Sequence, residues 1–476
     1  MMAVFVGTNV AESCCAFRCF LKVILTIRFR TMPYNGRIMS NFDINLSYIE
    51  NIGMATIFER IAMKQPAMMS TKQPWRFTLP DRPWTLAVSG SELPSEIALL
   101  VASGKANSKA ELVRETGLAR STVSSCVDGL LHRKILTVSG QIPTDRGRPA
   151  ERLMVNDGLG LIAVADVGAR HTMLAIADMN MRLLAHEWHV ISIADYSPDE
   201  LLCWISDRLW RLASQANADL PLRHAVLSLP ARIDIHEDAP IRPPIMPGWD
   251  AFDALQHMQD TLGCPVSVEN DTNIRALGDA AVLPEDERPI IEIKIATGIG
   301  GGIITKDGRI FHGFDGSAGE VGHTSYDPRN RRRCACGRTG CLEAVASVPA
   351  MLRRMQQLLS PMADEPDSVE QLIERLHDGN LGAEQAVEEA GESIGIMVAT
   401  LCNILNPRHV IISGLIAEAS DGLLTAIRTT VYKAARPLTT RNLSIGRSSI
   451  GRLACVAGGV VLATQETLSP ARLYAE

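Results

Sequence analysis

Four side chains carry the clearest chemistry in this 476-residue sequence: His323, Cys334, Cys336 and Cys341. One imidazole and three thiolates form a closed tetrahedral donor set that suits Zn²⁺. No position is left open for a catalytic water, so the expected zinc is structural. A Cys-x-Cys pair with a third Cys five residues on seldom arises in a chain with only 11 cysteines; free thiols are the alternative. Arg329, Arg331, Arg332 and Arg333 precede the thiols and would lower their pKa values, although a solvated charge run accounts for them equally. Cys126, Cys203, Cys264, Cys402 and Cys455 stand singly in apolar surroundings and read as packed. Cysteines this sparse exclude a disulfide scaffold, and no secretory signal with a clean apolar core is seen. A reducing cytoplasm is therefore expected.

A second group of polar residues lies at the ends of apolar runs. Glu269-Asn270-Asp271-Thr272-Asn273 follows the strand-like Pro265 to Val268, where α/β folds meet their ligands, and an Asp there can accept a proton from a sugar hydroxyl. An Asx cap on a helix from Thr272 to Ala280 is the structural alternative, and the two are compatible. Thr297-Gly298-Ile299-Gly300-Gly301-Gly302 lies between apolar strands and offers backbone amides without bulky side chains, as a phosphate-holding hairpin requires. A tight glycine turn without a ligand fits the same residues.

The elements that must position these groups follow from periodicity. From Leu161 onward strands and helices alternate: Leu161 to Asp166, Met173 to Ala177, Leu183 to Ile191, Ile290 to Ile295 and Val410 to Ile412 read as strands. Such alternation predicts an α/β fold with mixed sheets. Between Glu92 and Arg152 the pattern is instead one of short amphipathic helices. Ser95 to Ala102 is the first, and Ser108 opens a second with Glu111 at capping-box spacing and Gly117 as its stop. Arg120 to Leu131 is the third, with Val123, Val127, Leu130 and Leu131 on one face and hydroxyls on the other. Ile135 to Val138 follows as a short strand.

Two helices joined by a tight glycine turn, the second opening on Arg and several hydroxyls, form a helix-turn-helix pattern. Ser121, Thr122, Ser124 and Ser125 would meet phosphates and base edges, and Arg120, Arg133 and Lys134 would neutralise phosphates. A three-helix bundle with a polar face is the bland reading. Arg146-Gly147-Arg148 suits minor-groove insertion, or else a solvated linker.

Charge is distributed unevenly along the chain. Residues 1 to 90 carry a balance of +5, residues 91 to 152 of +2, and the remainder of −13. A mildly basic piece on an acidic body suits a DNA-contacting module joined to something DNA would repel. The most apolar window, Cys14 to Arg30, is broken by Arg18, Lys22 and Arg28 and falls short of the ~20 residues a membrane span needs. Residues 1 to 84 lack sustained periodicity and read either as a flexible extension or as sequence upstream of a natural start at Met68 or Met69.

Together these motifs resemble the ROK family (repressors, open reading frames and kinases) in its form with an N-terminal winged helix-turn-helix. The resemblance runs from about Ser91 to Thr464. It rests on the helix-turn-helix, Gly147-Arg148-Pro149, Asp166-Val167-Gly168, Pro247-Gly248-Trp249, Glu269-Asn270-Asp271, the glycine run at Thr297, Gly319-Glu320-Val321-Gly322-His323 and the cysteine segment ending in Cys341-Leu342-Glu343. It implies an α/β chain in which a winged helix-turn-helix at 85 to 152 precedes a two-lobed, actin-like ATPase (ribonuclease H-like) sugar-kinase fold at 153 to 476. The implied lobes are 153 to 275 with 455 to 476, and 276 to 454. A monosaccharide or sugar derivative would be held by Asn270, Asp271, Glu320, His323 and Glu343, with His323 also on the zinc. The implied phosphate-loop remnants are Asp166 and Gly168, and Thr297, Gly298, Gly300 and Gly301. Asp271 would be the base if the chain were a kinase.

Departures from the kinase pattern decide what function is expected. The kinases carry Asp-x-Gly-Gly-Thr where this chain has Asp166-Val167-Gly168-Ala169-Arg170, losing a flexible Gly and a phosphate-orienting hydroxyl. Pro230-Ala231-Arg232 stands where the family has Pro-Gly, and Ile245 where an Asn is common. The expectation is a sugar-responsive transcriptional regulator, acting as a repressor on operator DNA, homodimeric or homotetrameric, cytoplasmic and not membrane-bound. ATP is not expected as its cofactor. The alternatives are an ATP-dependent sugar kinase with an appended DNA-binding domain, and a DNA-binding protein whose body only dimerises.

Overall fold

Three short helices open the described part of the chain: α1 (Leu93–Ser103), α2 (Lys109–Thr116) and α3 (Arg120–His132). The computed structural model describes residues 92–142, 149–234, 239–240, 246, 248–249, 252–327, 331–358 and 368–473, all within a unit running from Gln73 to Glu476. The expected extension at 1 to 84, with Met68 and Met69, lies outside the described residues. Ser108 caps α2 by accepting the Glu111 amide at 3.3 Å, but the expected capping box does not close. The Glu111 carboxylate takes the Asn107 amide at 2.7 Å instead. Gly117 ends α2 with φ +66°, a left-handed value that favours glycine. Helix α3 buries Val123, Val127 and Leu130. The strand expected at Ile135 to Val138 runs on as β1 (Leu136–Ile142), which pairs antiparallel with β2 (Ala150–Val155). Three helices are thus followed by an antiparallel strand pair.

The first large sheet combines β3 (Leu161–Val167), β4 (Thr172–Asp178), β5 (Leu183–His189), β6 (Leu222–Leu229) and β9 (Val266–Asn270) in the order β5-β4-β3-β6-β9. A two-residue pair, β7 (Ile233–Asp234) and β8 (Ala239–Pro240), precedes β9. Strand β3 is buried along its whole length. Helices α4 (Pro198–Asn217) and α5 (Ala254–Leu262) cover one face of this sheet, and α6 (Asp271–Ala281) leaves β9 directly. Because β3, β6 and β9 are parallel, their carboxyl ends set Asp166, Ser228 and Glu269 side by side in register.

The second sheet repeats the plan in reduced form. Strands β10 (Ile290–Ile295), β11 (Ile299–Ile304), β12 (His409–Ser413) and β13 (Ser444–Arg447) are ordered β11-β10-β12-β13. Where the first sheet has a third antiparallel strand, this one has a single bridge, Ile304 to Ile310. Its helices are α7 (Leu342–Ala346), α8 (Val348–Leu358), α9 (Val369–His377), α10 (Leu381–Leu405), α11 (Leu415–Ala419), α12 (Asp421–Ala434) and α13 (Pro437–Thr440). The chain then returns to the first sheet through α14 (Ala454–Thr467) and ends in α15 (Pro470–Leu473). Among the described residues no helix is long and apolar enough to cross a membrane.

Helices α6 and α14 cross with their backbones almost touching. A Cβ on Gly458 would lie 1.8 Å from the Ile274 carbonyl oxygen, and one on Gly278 1.8 Å from that of Ala454. A Cβ on Gly459 would lie 2.6 Å from a Val164 methyl of β3. The core built on this crossing continues without a break into Ile97, Val101, Val123 and Val127 of the N-terminal helices. Polar contacts reinforce the junction: Ser95 Oγ donates to the Leu468 carbonyl at 2.5 Å, and Arg133 donates to that of Leu473. Asn180 bonds both backbone groups of Val155, at 3.2 and 2.9 Å.

Backbone atoms cannot yield at the crossing, so Gly458→Val should lower unfolding stability by ~3 kcal/mol or more. Gly129→Ala on α3, where an added Cβ meets nothing within 4 Å, should instead raise it by ~0.5 kcal/mol. Denaturant unfolding of both variants checks this, and similar small effects would refute the close crossing.

Candidate functional site

The strand end at 269–273 spends most of its polar capacity on structure. Asn270 is the N-cap of α6: its Oδ1 accepts the amides of Thr272 at 2.9 Å and Asn273 at 3.2 Å, while Nδ2 donates to the Ala231 carbonyl at 2.9 Å. Glu269 bonds Asn273 Nδ2 at 3.0 Å and meets His312 Nε2 at 2.6 Å. That hydrogen bond to Glu269 holds the His312 pKa above its ordinary value, against the effect of burial. The 312–323 loop is thereby tied to the end of β9. A second tie joins Arg232 Nε to Glu320 Oε1 at 3.5 Å, so Arg232 is engaged with an expected sugar ligand.

Asp271, the candidate base, is buried and paired. The Lys294 ammonium of β10 contacts its Oδ2 at 2.5 Å, and Thr272 Oγ1 donates to its Oδ1 at 3.1 Å. Burial works against the charged form of Lys294, but Asp271 and Asp166 outweigh it and hold the pKa above its usual value. This contact is one rung of a ladder. Asp271, Arg275 and Asp279 recur every four residues on one face of α6, and Glu292 and Lys294 alternate on one face of β10. Arg275 Nε meets Glu292 Oε1 at 2.9 Å, Arg275 also donates to the Gly451 carbonyl at 2.8 Å, and Ser448 donates to Asp279 at 2.6 Å. Burial pushes Glu292 up to about 8 and raises Asp279 as well.

Side chains of the chain itself lie against both expected phosphate-loop remnants. Gly168 donates its amide to the His171 carbonyl at 2.8 Å, and a Cβ on Gly168 would lie 2.2 Å from the His171 ring. The imidazole stacks on Trp188 at 4.5 Å, with its Nε2 3.9 Å from Asp166 Oδ2. Burial lowers its pKa. The glycine run is not the open hairpin expected: only Ala296–Gly298 turn, and Gly300, Gly301 and Gly302 belong to β11. Their missing side chains serve packing. A Cβ would meet Thr272 Oγ1 at 2.6 Å from Gly300, the Gly319 carbonyl at 2.9 Å from Gly301 and the Thr272 carbonyl at 2.5 Å from Gly302. Thr297 is exposed, and the amide after Gly298 donates to Glu343 Oε2 at 3.2 Å.

His323, Cys334, Cys336 and Cys341 converge with their donor atoms all within 4.8 Å of one another. His323 Nδ1 lies 3.4 Å from Cys334 Sγ, and Cys336 Sγ lies 3.6 Å from Cys341 Sγ. Spacings of this size suit a tetrahedral ion, so the cluster could hold a metal. Despite opposing burial, contacts with Arg338 and the neighbouring thiols draw Cys336 down to about 6. The other imidazole nitrogen, Nε2, faces Glu320 Oε2 at 3.7 Å. Glu343 links this cluster to the glycine turn, since its Oε1 lies 3.3 Å from Cys334 Sγ.

On α3, Arg120, Ser121, Thr122 and Ser125 are exposed, and no side chain caps the helix N-terminus. Ser124 is half-buried and accepts from Lys109 at 3.2 Å. Arg133 is exposed as well and donates to the carbonyl of Leu473. Arg146 and Arg148 lie outside the described residues. Sequence reading missed Lys294, Arg275, His171 and Arg232. Lys294 and Glu292 left a signal, as two charges at alternate positions in an otherwise apolar strand.

Two unequal α/β sheets joined by a buried helix crossing, with polar strand ends tied across to the opposite loops, define a sugar-kinase-like body that carries a three-helix head. The ROK family model matches residues 162–466, and the chain belongs to that family. It is 27% identical over 354 residues to the xylose repressor of Bacillus spizizenii, covering 74% of this chain and 89% of the relative. It is 31% identical over 230 residues to a glucokinase of Halalkalibacterium halodurans, covering 46% of this chain and 69% of the relative. The crystal structure of a ROK family transcriptional regulator, a homolog of E. coli Mlc, shares the fold with a TM-score of 0.67 at 24% identity, covering 81% of this chain and 98% of that one.

Breaking a buried pair leaves an uncompensated charge. Lys294→Met and Asp271→Asn should therefore each cost ~3 kcal/mol. The double variant should lose much less than the sum of the two. Strict additivity in a denaturant-unfolding cycle would show that the pair is not coupled.

Proposed function

We propose that this chain is a sugar-responsive, DNA-binding transcriptional regulator of carbohydrate genes, acting as a repressor, and not a kinase. The observation that carries the reading is the Lys294–Asp271 ion pair. A general base must present its carboxylate to the sugar hydroxyl, and the Asp271 carboxylate is already engaged by the Lys294 ammonium and the Thr272 hydroxyl. His171 against Gly168 and Glu343 on the glycine turn support the same reading, because they take up space and donors that ATP phosphates would require. The similarity to a xylose repressor over most of that protein's length agrees with it.

In this reading a monosaccharide binds among Asn270, Asp271, Glu320, His323 and Glu343, and biases the closure of the two sheets. Closure alters the spacing of the α3 helices in a homodimer or homotetramer, which is a population shift coupled to operator affinity. His323, Cys334, Cys336 and Cys341 would hold a structural Zn²⁺ that fixes the imidazole so that Nε2 stays turned to the sugar side. Arg120, Ser121, Thr122 and Ser125, with Arg146 and Arg148, would contact the operator. A partner of this kind places the protein in the cytoplasm.

A gel shift on the DNA upstream of its own gene, at stated salt and with a panel of monosaccharides, tests the reading. Specific binding that one sugar alters is expected. Binding indifferent to every sugar, or none at all, would overturn it. Metal analysis should find about one Zn per chain, lost in Cys336→Ser; metal-free wild type would refute the zinc assignment.

A further inference from the structure

The junction between the three-helix head and the body contains a crevice of about 220 Å³. Three arginines from three separate elements line it: Arg133 at the C-cap of α3, Arg223 at the start of β6 and Arg472 on α15. None of the described residues lining it is acidic. Thr467 also faces it; this side chain is 9% exposed, and its hydroxyl finds no hydrogen-bond partner among the described residues. A buried hydroxyl without a partner is costly unless a ligand supplies one. The apolar wall consists of Ile135, Leu159, Leu468 and Leu473.

We propose that this crevice is a binding site for a small phosphate-bearing metabolite, separate from the sugar site. Guanidinium groups converging from three directions, with a hydroxyl beside them, match the several terminal oxygens of a tetrahedral dianion better than the two of a planar carboxylate. The volume lies below that of sites for drug-sized ligands, so the occupant is a compact molecule. Burial, aided by the Arg472 charge, holds the nearby His224 down at about 4.

The position gives the site a consequence. Arg133 ends the helix whose exposed face carries Arg120 to Ser125, whereas Arg223 belongs to the first sheet and Arg472 to the C-terminal helix. An anion held by all three cross-links head and body. If the chain binds an operator, as proposed above, anion and operator change each other's affinity by the same factor.

Calorimetric titration of the full chain with inorganic phosphate and with glycerol phosphate, at ionic strength matched with chloride, tests the site without DNA. Saturable binding is expected, tighter for glycerol phosphate, and weakened at least tenfold in Arg472→Gln and in Arg223→Gln. Arg472 is on the exposed C-terminal helix, so its variant should unfold at the wild-type temperature. No saturable binding would overturn the proposal. Binding unchanged in both variants but lost in Arg120→Gln would overturn it as well, because the anion would then sit on the outward face of α3. Failure here leaves the sugar-dependent gel shift untouched, and the reverse also holds.

Discussion

One face of α6 meets one face of β10 through charges rather than through methyl groups, and the geometry of the body depends on that meeting. Asp271, Arg275 and Asp279 on the helix face Glu292 and Lys294 on the strand, and Glu292 is completely buried. Burying polar and charged groups is expensive unless they meet partners, so the ladder favours one register between helix and strand. Helix α6 springs from the first sheet and β10 belongs to the second. The ladder therefore fixes how the two sheets face each other, and the glycine crossing with α14 removes the remaining freedom from behind.

The same ladder bears on function. Its first rung, Lys294 with Asp271, occupies the carboxylate that a sugar kinase of this fold would use as its base. The two loops that would hold nucleotide phosphates are filled from within, one by the imidazole of His171 and the other by the carboxylate of Glu343. What remains available is a set of polar groups around Glu320 and His323, linked through Arg232 and His312 to the end of the first sheet. Groups shared between two sheets suit a device that reports closure. The continuous core under the N-terminal helices and the Arg133–Leu473 and Ser95–Leu468 contacts give that report a physical route to α3.

Local signals in the sequence were readable where the physics is local. Gly117 ends α2 because a left-handed residue is needed there, Asn270 caps α6 because its side chain reaches two amides ahead, and Ile290 to Ile295 forms β10 with the expected bounds. The metal cluster was readable because three of its donors lie within eight residues. Interactions set by tertiary packing were not. Nothing near Asp271 announces Lys294, 23 residues on. Gly300 to Gly302 look like a loop until α6 is seen to press on them, and nothing near Arg133 announces its bond to Leu473. The departure at Ala169 and Arg170 was visible, but the filling of that loop by His171 and its stacking on Trp188 required the fold.

The account stands on the claim that this body binds sugar without phosphorylating it. The most direct measurement is calorimetry with a sugar panel on zinc-loaded protein, followed in the same samples by assay of ADP release with Mg-ATP. The account predicts saturable heat for one sugar and no turnover above background. Turnover that disappears in Asp271→Asn would contradict it, because Asp271 would then reach the sugar despite its contact with Lys294.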